Sequence, residues 1–219
     1  MKRNLIACIT NFFFPAECVG CHKEDFWLCS DCRKTIPSAP WKFPEQISGI
    51  GDLFALTDYQ NPLIARVIRR IKFGYCREML NDLDPLLEER LRSLSLPENA
   101  ILVPVPLHFF RKSSRGFNQA ELLAKAMGKY INKPVRSILR RTRNTPPQTT
   151  LSGEKRRDNL SGAFRVVLPE YKSHPIYVVD DVTTTHTTLR ECIHTLQKAG
   201  FHVAGALVLA KSEEHYAPH

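Results

Sequence analysis

Four cysteines near the start of the chain have the spacing of a metal site. Cys18 and Cys21 form one C-x-x-C pair, and Cys29 and Cys32 form a second pair after seven intervening residues. Each C-x-x-C turn lets two sulfurs face one ion, and four thiolates suit a tetrahedral Zn²⁺. A redox dithiol needs only one pair and leaves the second unexplained. We therefore predict a structural zinc ribbon, whose metal supplies much of the folding energy of so small a segment.

A second group of polar residues follows an apolar run near the end of the chain. Residues 175–181 read PIYVVDD, and the threonine-rich stretch VTTTHTT follows at 182–188. Ligands of open α/β sheets bind at the carboxyl edge of the strands, and helix N-termini attract phosphate. Adjacent carboxylates beside such a loop can hold sugar hydroxyls or a hydrated Mg²⁺. An ordinary turn would use Asp and Thr as caps, but the consecutive Asp180 and Asp181 favour a ligand site.

The excess positive charge is concentrated in the middle of the chain. The formal net charge is +9, and residues 101–160 hold 13 Lys and Arg against 3 Asp and Glu. A concentrated surplus indicates an anionic partner, such as phosphate, pyrophosphate or a nucleic-acid backbone. A solvated basic face remains the alternative for each single side chain. The candidate residues are Arg111, Arg115, Arg140, Arg141, Arg143, Arg156 and Arg157.

Hydrophobic periodicity indicates which elements position these groups. Short apolar runs at 100–106, 175–181 and 202–210 alternate with helical patterns at 117–131 and 188–200. Such alternation is typical of a parallel sheet with helical crossovers. The other predicted elements are a strand at 51–59, a helix at 61–73 with Arg66, Arg69, Arg70 and Lys72 on its polar face, a helix at 77–94, a strand at 135–141, and a polar loop or hairpin at 142–162.

The predicted organisation is a small metal-binding segment followed by one α/β domain. We expect an N-terminal helix and the ribbon in residues 1–36, a proline-rich linker in 37–50, and the α/β domain in 51–219. The basic and apolar start superficially resembles a signal peptide, but polar residues interrupt it and no small-residue cleavage site follows. No stretch approaches the ~18 apolar residues of a membrane span. Because paired C-x-x-C spacings favour metal over disulfides, we expect a reducing, cytoplasmic location.

The segment VVDDVTTTHTT at 178–188 resembles the ribose-5-phosphate and pyrophosphate loop of type I phosphoribosyltransferases. In that family the pattern is an apolar run, two acids, and then T-T/S-G-x-T. The resemblance implies that Asp180 and Asp181 are the catalytic-site acids, which engage the ribose 2′- and 3′-hydroxyls of phosphoribosyl pyrophosphate (PRPP) with its Mg²⁺. It also implies a phosphate loop in which histidine replaces the family glycine, made of Thr184, Thr185, His186, Thr187 and Thr188.

Two further blocks, at 103–124 and 146–164, resemble the ComF family of competence-associated, phosphoribosyltransferase-like proteins. The four-cysteine ribbon before the transferase domain matches that architecture. The resemblance implies an α/β fold, with a type I phosphoribosyltransferase-like parallel sheet and helices on both faces, preceded by the ribbon. Arg111 and Arg115 would then contact phosphate. The remaining arginines would flank a mobile loop and contact pyrophosphate or nucleic acid: Arg140, Arg141, Arg143, Arg156 and Arg157.

Three functional hypotheses follow. The first is a ComF-like factor that handles single-stranded DNA during natural transformation and retains a PRPP-type pocket. The second is an active phosphoribosyltransferase in nucleotide or cofactor salvage. The third is a non-catalytic scaffold whose ribbon binds a partner such as a translocation helicase. The basic stretch supports the first, the paired acids and threonines support the second, and His186 in place of glycine supports the third.

Overall fold

The computed structural model describes residues 16–37, 45–73, 77–107, 116–143 and 162–212. No helix in these ranges is long and apolar enough to cross a membrane. The strands are β1 (Glu45–Ile47), β2 (Gly51–Asp58), β3 (Ile101–Pro104), β4 (Leu139–Arg141), β5 (Phe164–Val166), β6 (Ile176–Thr183) and β7 (Val203–Lys211). The α-helices are α1 (Ser30–Lys34), α2 (Pro62–Phe73), α3 (Met79–Leu91), α4 (Gln119–Ile131) and α5 (Thr187–Lys198).

The central sheet has the strand order β1-β2-β7-β6-β3. The strands β2, β7, β6 and β3 run parallel, and β1 pairs antiparallel with β2 at one edge. This arrangement confirms the predicted α/β class. The segment 37–50, predicted as a linker, differs from the expectation in its second half. Residues 45–47 form the edge strand, and Ile50 is buried in the core between the sheet and α5.

Helices cover both faces of the sheet, as predicted. One face packs against α2, α3 and α4, and the other against α5 and the β4–β5 hairpin. Side chains alternate between the two faces along a strand. Val179 therefore packs in the first core and Val178 in the second. The same alternation places Asp181 on the face of the sheet that α2 covers and Asp180 on the face that α5 covers.

Two segments depart from the expected strands. The strand β6 does not end at the aspartates but continues for two more residues, and Thr183 still pairs with Lys211 of β7. A strand was predicted at 135–141, and only its last three residues form one, outside the main sheet. Val135 forms one isolated parallel bridge with Leu102, and the chain then leaves the sheet edge to form the separate β4–β5 pair.

The four-cysteine segment packs on α2 and α3. Oδ2 of Asp82, in the first turn of α3, accepts hydrogen bonds from the amides of Trp27 at 2.7 Å and Leu28 at 3.0 Å. The guanidinium of Arg33 donates to the carbonyl of Asp82 at 3.3 Å. Leu28 is 1% exposed and belongs to the core cluster that contains the apolar face of α2. Defined contacts therefore hold this segment against the α/β part of the chain.

Candidate functional site

The four cysteines converge, as their spacing predicted. Their sulfur atoms all lie within 4.8 Å of one another. The amides of Gly20 and Cys29 each point at Sγ of Cys18 from 3.4 Å. A Cβ at residue 20 would lie 2.5 Å from Sγ of Cys32 and 2.9 Å from a methyl of Leu63, so only glycine fits there. The backbone is thus shaped closely around the four sulfurs.

The thiols of this cluster cannot all ionise easily unless a cation lies among them. Burial raises the pKa of the Cys18 thiol, but hydrogen bonds from backbone amides outweigh that effect and lower the pKa to about 6. Burial, the neighbouring sulfurs and the charge on Cys18 raise the pKa of Cys32 to about 12. Ionisation of one sulfur therefore opposes ionisation of the next unless a positive ion compensates. The cluster could hold a metal ion, and a four-thiolate donor set suits Zn²⁺.

Asp181 pairs with a lysine from another element. Nζ of Lys72, in the last turn of α2, lies 3.0 Å from Oδ1 of Asp181. Burial lowers the pKa of Lys72, but attraction to Asp181 and Asp180 outweighs it, so the pKa is above its ordinary value. The second carboxylate oxygen of Asp181, Oδ2, is buried and accepts no hydrogen bond from the described part of the chain. A ligand hydroxyl or a cation would satisfy this atom.

The carboxyl of Asp180 has a higher pKa than that of an ordinary surface acid. Burial, followed by repulsion from Asp181, raises the pKa of its carboxyl to about 8, although Lys72 acts in the opposite direction. Oδ1 of Asp180 accepts the amide of Asp181 at 2.8 Å. With a pKa of about 8, the neutral, protonated form of this side chain predominates at neutral pH. Strongly raised carboxyl pKa values concentrate at functional sites more than at simple turn caps.

The threonine-rich loop connects β6 to α5 and has an unusual backbone at its centre. His186 is the N-cap of α5 with φ 59° and ψ 4°, in the left-handed region, and its side chain forms no cap hydrogen bond with the helix. That region favours glycine, the residue that the family pattern has at this position. Thr184 and Thr185 precede His186 in the turn, while Thr187 and Thr188 form the first turn of α5. The residues of the predicted phosphate loop are therefore contiguous in space.

A cavity of about 640 Å³ lies at the carboxyl end of β3, between the start of α4 and β4. This volume lies within the range of small-molecule sites. Arg140 and Arg141 line it, as does Asn118, whose amide donates to the carbonyl of Val105 at 3.0 Å. The amide of Val105 bonds in turn to the carbonyl of Val179, directly before Asp180. The cavity thus begins one strand away from the acidic end of β6.

Only some of the predicted basic residues in the described part of the chain line the cavity at this edge of the sheet. Arg140 and Arg141 line the cavity, whereas Arg143 is exposed and does not. The remaining predicted arginines lie outside the described residues, and their roles stay predictions: Arg111, Arg115, Arg156 and Arg157.

Two residues of the acidic site were not identified from the sequence. Lys72 was assigned to the exposed face of its helix, and this was wrong, because its side chain is 26% exposed and turns towards Asp181. The available signal was its register, since Lys72 lies four residues after the buried Ile68, on the inner side of α2. Thr183 is also buried, and its Oγ1 lies 2.8 Å from Nδ1 of His186. No pattern in the sequence distinguishes Thr183 from the threonines that follow it.

These features define a class: an α/β protein with a mostly parallel sheet, a four-cysteine cluster that could hold a metal ion, and two consecutive acids near the carboxyl end of one strand. No family model matches the chain. It is 31% identical over 217 residues to competence protein F of Haemophilus influenzae, covering 86% of this chain and 93% of that protein. It is 34% identical over 179 residues to DNA utilization protein YhgH of Escherichia coli, covering 78% and 72%. The chain belongs to the competence protein F family.

Two more distant similarities complete the comparison. The chain is 27% identical over 142 residues to competence protein ComFC of Bacillus subtilis, covering 64% of this chain and 56% of that protein. Among solved structures, adenine phosphoribosyltransferase from Leishmania donovani matches with a TM-score of 0.39 and 12% identity, over 77% of this chain and 74% of the other. The structural match is too distant to assign a ligand or a reaction.

Proposed function

We propose that this chain handles single-stranded DNA in the cytoplasm during DNA uptake, and that the carboxyl edge of its sheet binds PRPP or a related nucleotide with Mg²⁺. Membership of a family whose proteins are named for competence and DNA utilization supports the first part. The pocket is supported above all by one observation: Oδ2 of the buried Asp181 has no partner among the described residues, at the end of the strand that leads into the threonine loop.

The residues of this edge have complementary properties for a phosphorylated sugar. The free oxygen of Asp181 would accept a ribose hydroxyl, and the protonated Asp180 would donate to one. The amides at the start of α5 would bind the 5′-phosphate, because a helix N-terminus favours anions. Arg140 and Arg141 would neutralise the pyrophosphate from the cavity side. Mg²⁺, when bound, would offset the remaining charge of the pyrophosphate.

The four-cysteine cluster completes the proposal with a structural Zn²⁺. Its sulfurs are close enough to share one tetrahedral ion, and a Cβ at Gly20 would collide with one of them. Asp82 holds the cluster's segment against α3 through two backbone amides. We assign this metal a role in building the surface next to α2. A DNA-translocation helicase that contacts this surface remains part of the proposal.

A thermal-shift screen tests the pocket. Purified protein is heated with PRPP and MgCl₂, with nucleoside monophosphates, and with MgCl₂ alone. A ligand present at 100 times its Kd adds about 2.7 kcal/mol to the free energy of unfolding. For a chain of this size that raises Tm by roughly 5–10 °C. The Asp181→Asn variant serves as the matched control, and we expect it to lose the shift. No shift with any of these ligands in the wild type would refute the pocket.

Catalytic phosphoribosyl transfer is a second candidate, favoured by the raised pKa of Asp180 and by a ligand-sized cavity at the end of the neighbouring strand β3. Displacement at the sugar C1 would depend on positioning and on stabilisation of the departing pyrophosphate rather than on a protein nucleophile. Incubation with PRPP, Mg²⁺ and a panel of bases, followed by a pyrophosphate assay, tests it. Release that depends on a base and disappears in Asp180→Asn would establish transfer, and its absence across the panel would reject it.

A further inference from the structure

A shallow groove of about 490 Å³, largely open to solvent, lies between the four-cysteine segment and α2. Three of its lining side chains are guanidinium groups, and none is a carboxylate. It is separate from the cavity at the end of β3, because no residue lines both. The lining residues are Val19 and His22 from the four-cysteine segment, and Arg66, Arg69, Arg70 and Phe73 from α2.

The helix presents its arginines as one exposed row. Arg66, Arg69 and Arg70 stand at positions i, i+3 and i+4, and Phe73 follows at i+7, so all four share one helical face. The sequence of α2 contains no Asp or Glu that could neutralise them. Like charges at this spacing destabilise a helix. A row that repels itself and has no acidic partner on its own helix is better explained by an anionic ligand than by a salt-bridged surface.

The local contacts of these arginines leave their charge available. Nε of Arg66 donates to the carbonyl of Pro62 at 3.2 Å, and the guanidinium of Arg70 lies 5.2 Å from the centre of the Trp27 ring. Both contacts orient a side chain without neutralising it. Arg69 forms no hydrogen bond or ion pair with any residue that the structure describes. The groove therefore presents oriented guanidinium groups whose positive charge these contacts do not neutralise.

An exposed aromatic ring distinguishes this groove from a simple basic patch. Phe73 is 68% exposed at the end of the arginine row. Proteins that bind single-stranded nucleic acid combine a cationic groove for the phosphates with aromatic rings on which bases stack. An acidic peptide would be attracted by the arginines but would make no particular use of the ring. From Arg66 to Phe73 the row spans ~10 Å along the helix axis, which is long enough to contact more than one nucleotide.

We propose that this groove binds single-stranded nucleic acid, with phosphates on Arg66 and Arg69 and a base stacked on Phe73. The inference rests on the proposed function and gives it a surface outside the basic stretch 101–160. The four-cysteine segment would then contribute to binding, because its residues Val19 and His22 line one side of the groove.

Fluorescence anisotropy with a short labelled oligothymidine tests the groove, over a range of salt concentrations. We expect Arg66→Gln with Arg69→Gln to weaken binding and to reduce the log–log salt slope by about 1.4, since each neutralised phosphate contributes about 0.7. Phe73→Ala should weaken binding by about tenfold at constant salt. The matched control removes two exposed charges near the opposite face of the sheet, Lys172→Gln with Lys198→Gln, and should leave the slope unchanged.

The outcomes separate this inference from the proposed function. If the wild type fails to bind the oligonucleotide even at low salt, the DNA-handling function itself fails. If the wild type binds and both groove variants bind equally well with an unchanged slope, only the groove is overturned. If polyglutamate displaces the oligonucleotide as well as unlabelled oligothymidine does, and Phe73→Ala has no effect, the surface recognises acidic chains and the assignment to nucleic acid is wrong. Because the substituted side chains are exposed, unchanged Tm values are expected for each variant.

Discussion

Oγ1 of Thr183 and Nδ1 of His186 lie 2.8 Å apart, so the imidazole turns back onto the end of β6. His186 holds φ 59°, where a residue with a Cβ costs on the order of 1 kcal/mol relative to glycine. The hydrogen bond to the buried Thr183 offsets a similar amount, about 1 kcal/mol. The loop thus keeps a backbone conformation that favours glycine, and the hydrogen bond between His186 and Thr183 stabilises it.

The first prediction separates these two contributions. His186→Gly removes both the strain and the hydrogen bond, so its free energy of unfolding should stay within about 0.5 kcal/mol of the wild type. His186→Ala keeps the strain and loses the bond, so it should be less stable by about 1 kcal/mol. Urea unfolding of the three proteins measures this. Equal stability of the Ala and Gly variants would contradict the left-handed backbone at this position.

The same substitution should alter ligand binding in a pH-dependent way. We expect His186→Gly to bind PRPP with Mg²⁺ more tightly than the wild type at pH 8, because glycine lets the backbone approach the phosphate closely. The advantage should shrink at pH 6, since a protonated imidazole near a phosphate is favourable. Isothermal titration at both pH values measures it. Tighter binding by the wild type at pH 8 would identify the histidine as a positive ligand.

The difference between local and distant patterns explains what the sequence could predict. The cysteine spacing and the strand–helix alternation are local patterns. The convergence of the four sulfurs and the mostly parallel sheet were confirmed, while the bound zinc stays a prediction. The contact between Lys72 and Asp181 joins residues far apart in the chain, and it depends on how α2 packs across β6. A helix-face argument placed Lys72 in solvent because lysine is polar. Only the fold shows that the inner side of α2 meets a carboxylate at its last turn.

The second prediction concerns that ion pair. Lys72→Met leaves Asp181 buried without its counter-charge, and removal of one partner from a buried pair is more costly than removal of both. Because Lys72 is 26% exposed, we expect a loss of about 2 kcal/mol, below the usual cost for a fully buried pair. The double variant Lys72→Met with Asp181→Asn should recover part of this loss. Urea unfolding in a double-mutant cycle measures the coupling, and additive effects would argue against the pair.

The third prediction is a pH dependence caused by Asp180. Its carboxyl ionises near 3.8 in the unfolded chain and near 8 in the folded protein, because of burial and the facing charge of Asp181, with Lys72 opposing them. Between these values the folded state binds the extra proton, so this group's contribution to stability falls as pH rises from about 4 to about 8. The thiol of Cys192 on α5, whose raised pKa keeps it neutral over this range, and the nearby charges of Arg141 and Glu191 are common to wild type and variant.

Asp180→Asn removes this titration and isolates it from the rest of the protein. Relative to the wild type, the variant should gain at least about 1.4 kcal/mol between pH 5 and pH 8.5, the equivalent of one pKa unit. Chemical unfolding at a series of pH values measures the difference. Glu170→Gln, at an exposed acid, is the control and should run parallel to the wild type. A constant difference between Asp180→Asn and the wild type would show that Asp180 is ionised throughout.

The fourth prediction tests the metal cluster through a residue that is not a ligand. A Cβ at residue 20 would lie 2.5 Å from Sγ of Cys32 and 2.9 Å from Leu63, so Gly20→Ala should push the sulfurs apart. Purified wild type should contain one equivalent of Zn²⁺, while Gly20→Ala and Cys29→Ser should contain much less. Glu17→Ala, an exposed change on the same segment, should keep the metal.

Elemental analysis measures the zinc content of each protein. Protease digestion should cut the segment before α2 first in the two depleted variants, because the metal supplies much of the folding energy of that segment. Full metal occupancy in Gly20→Ala would show that the cluster tolerates a wider arrangement than the one described, and metal-free wild type prepared without chelator or oxidant would exclude the zinc ribbon altogether.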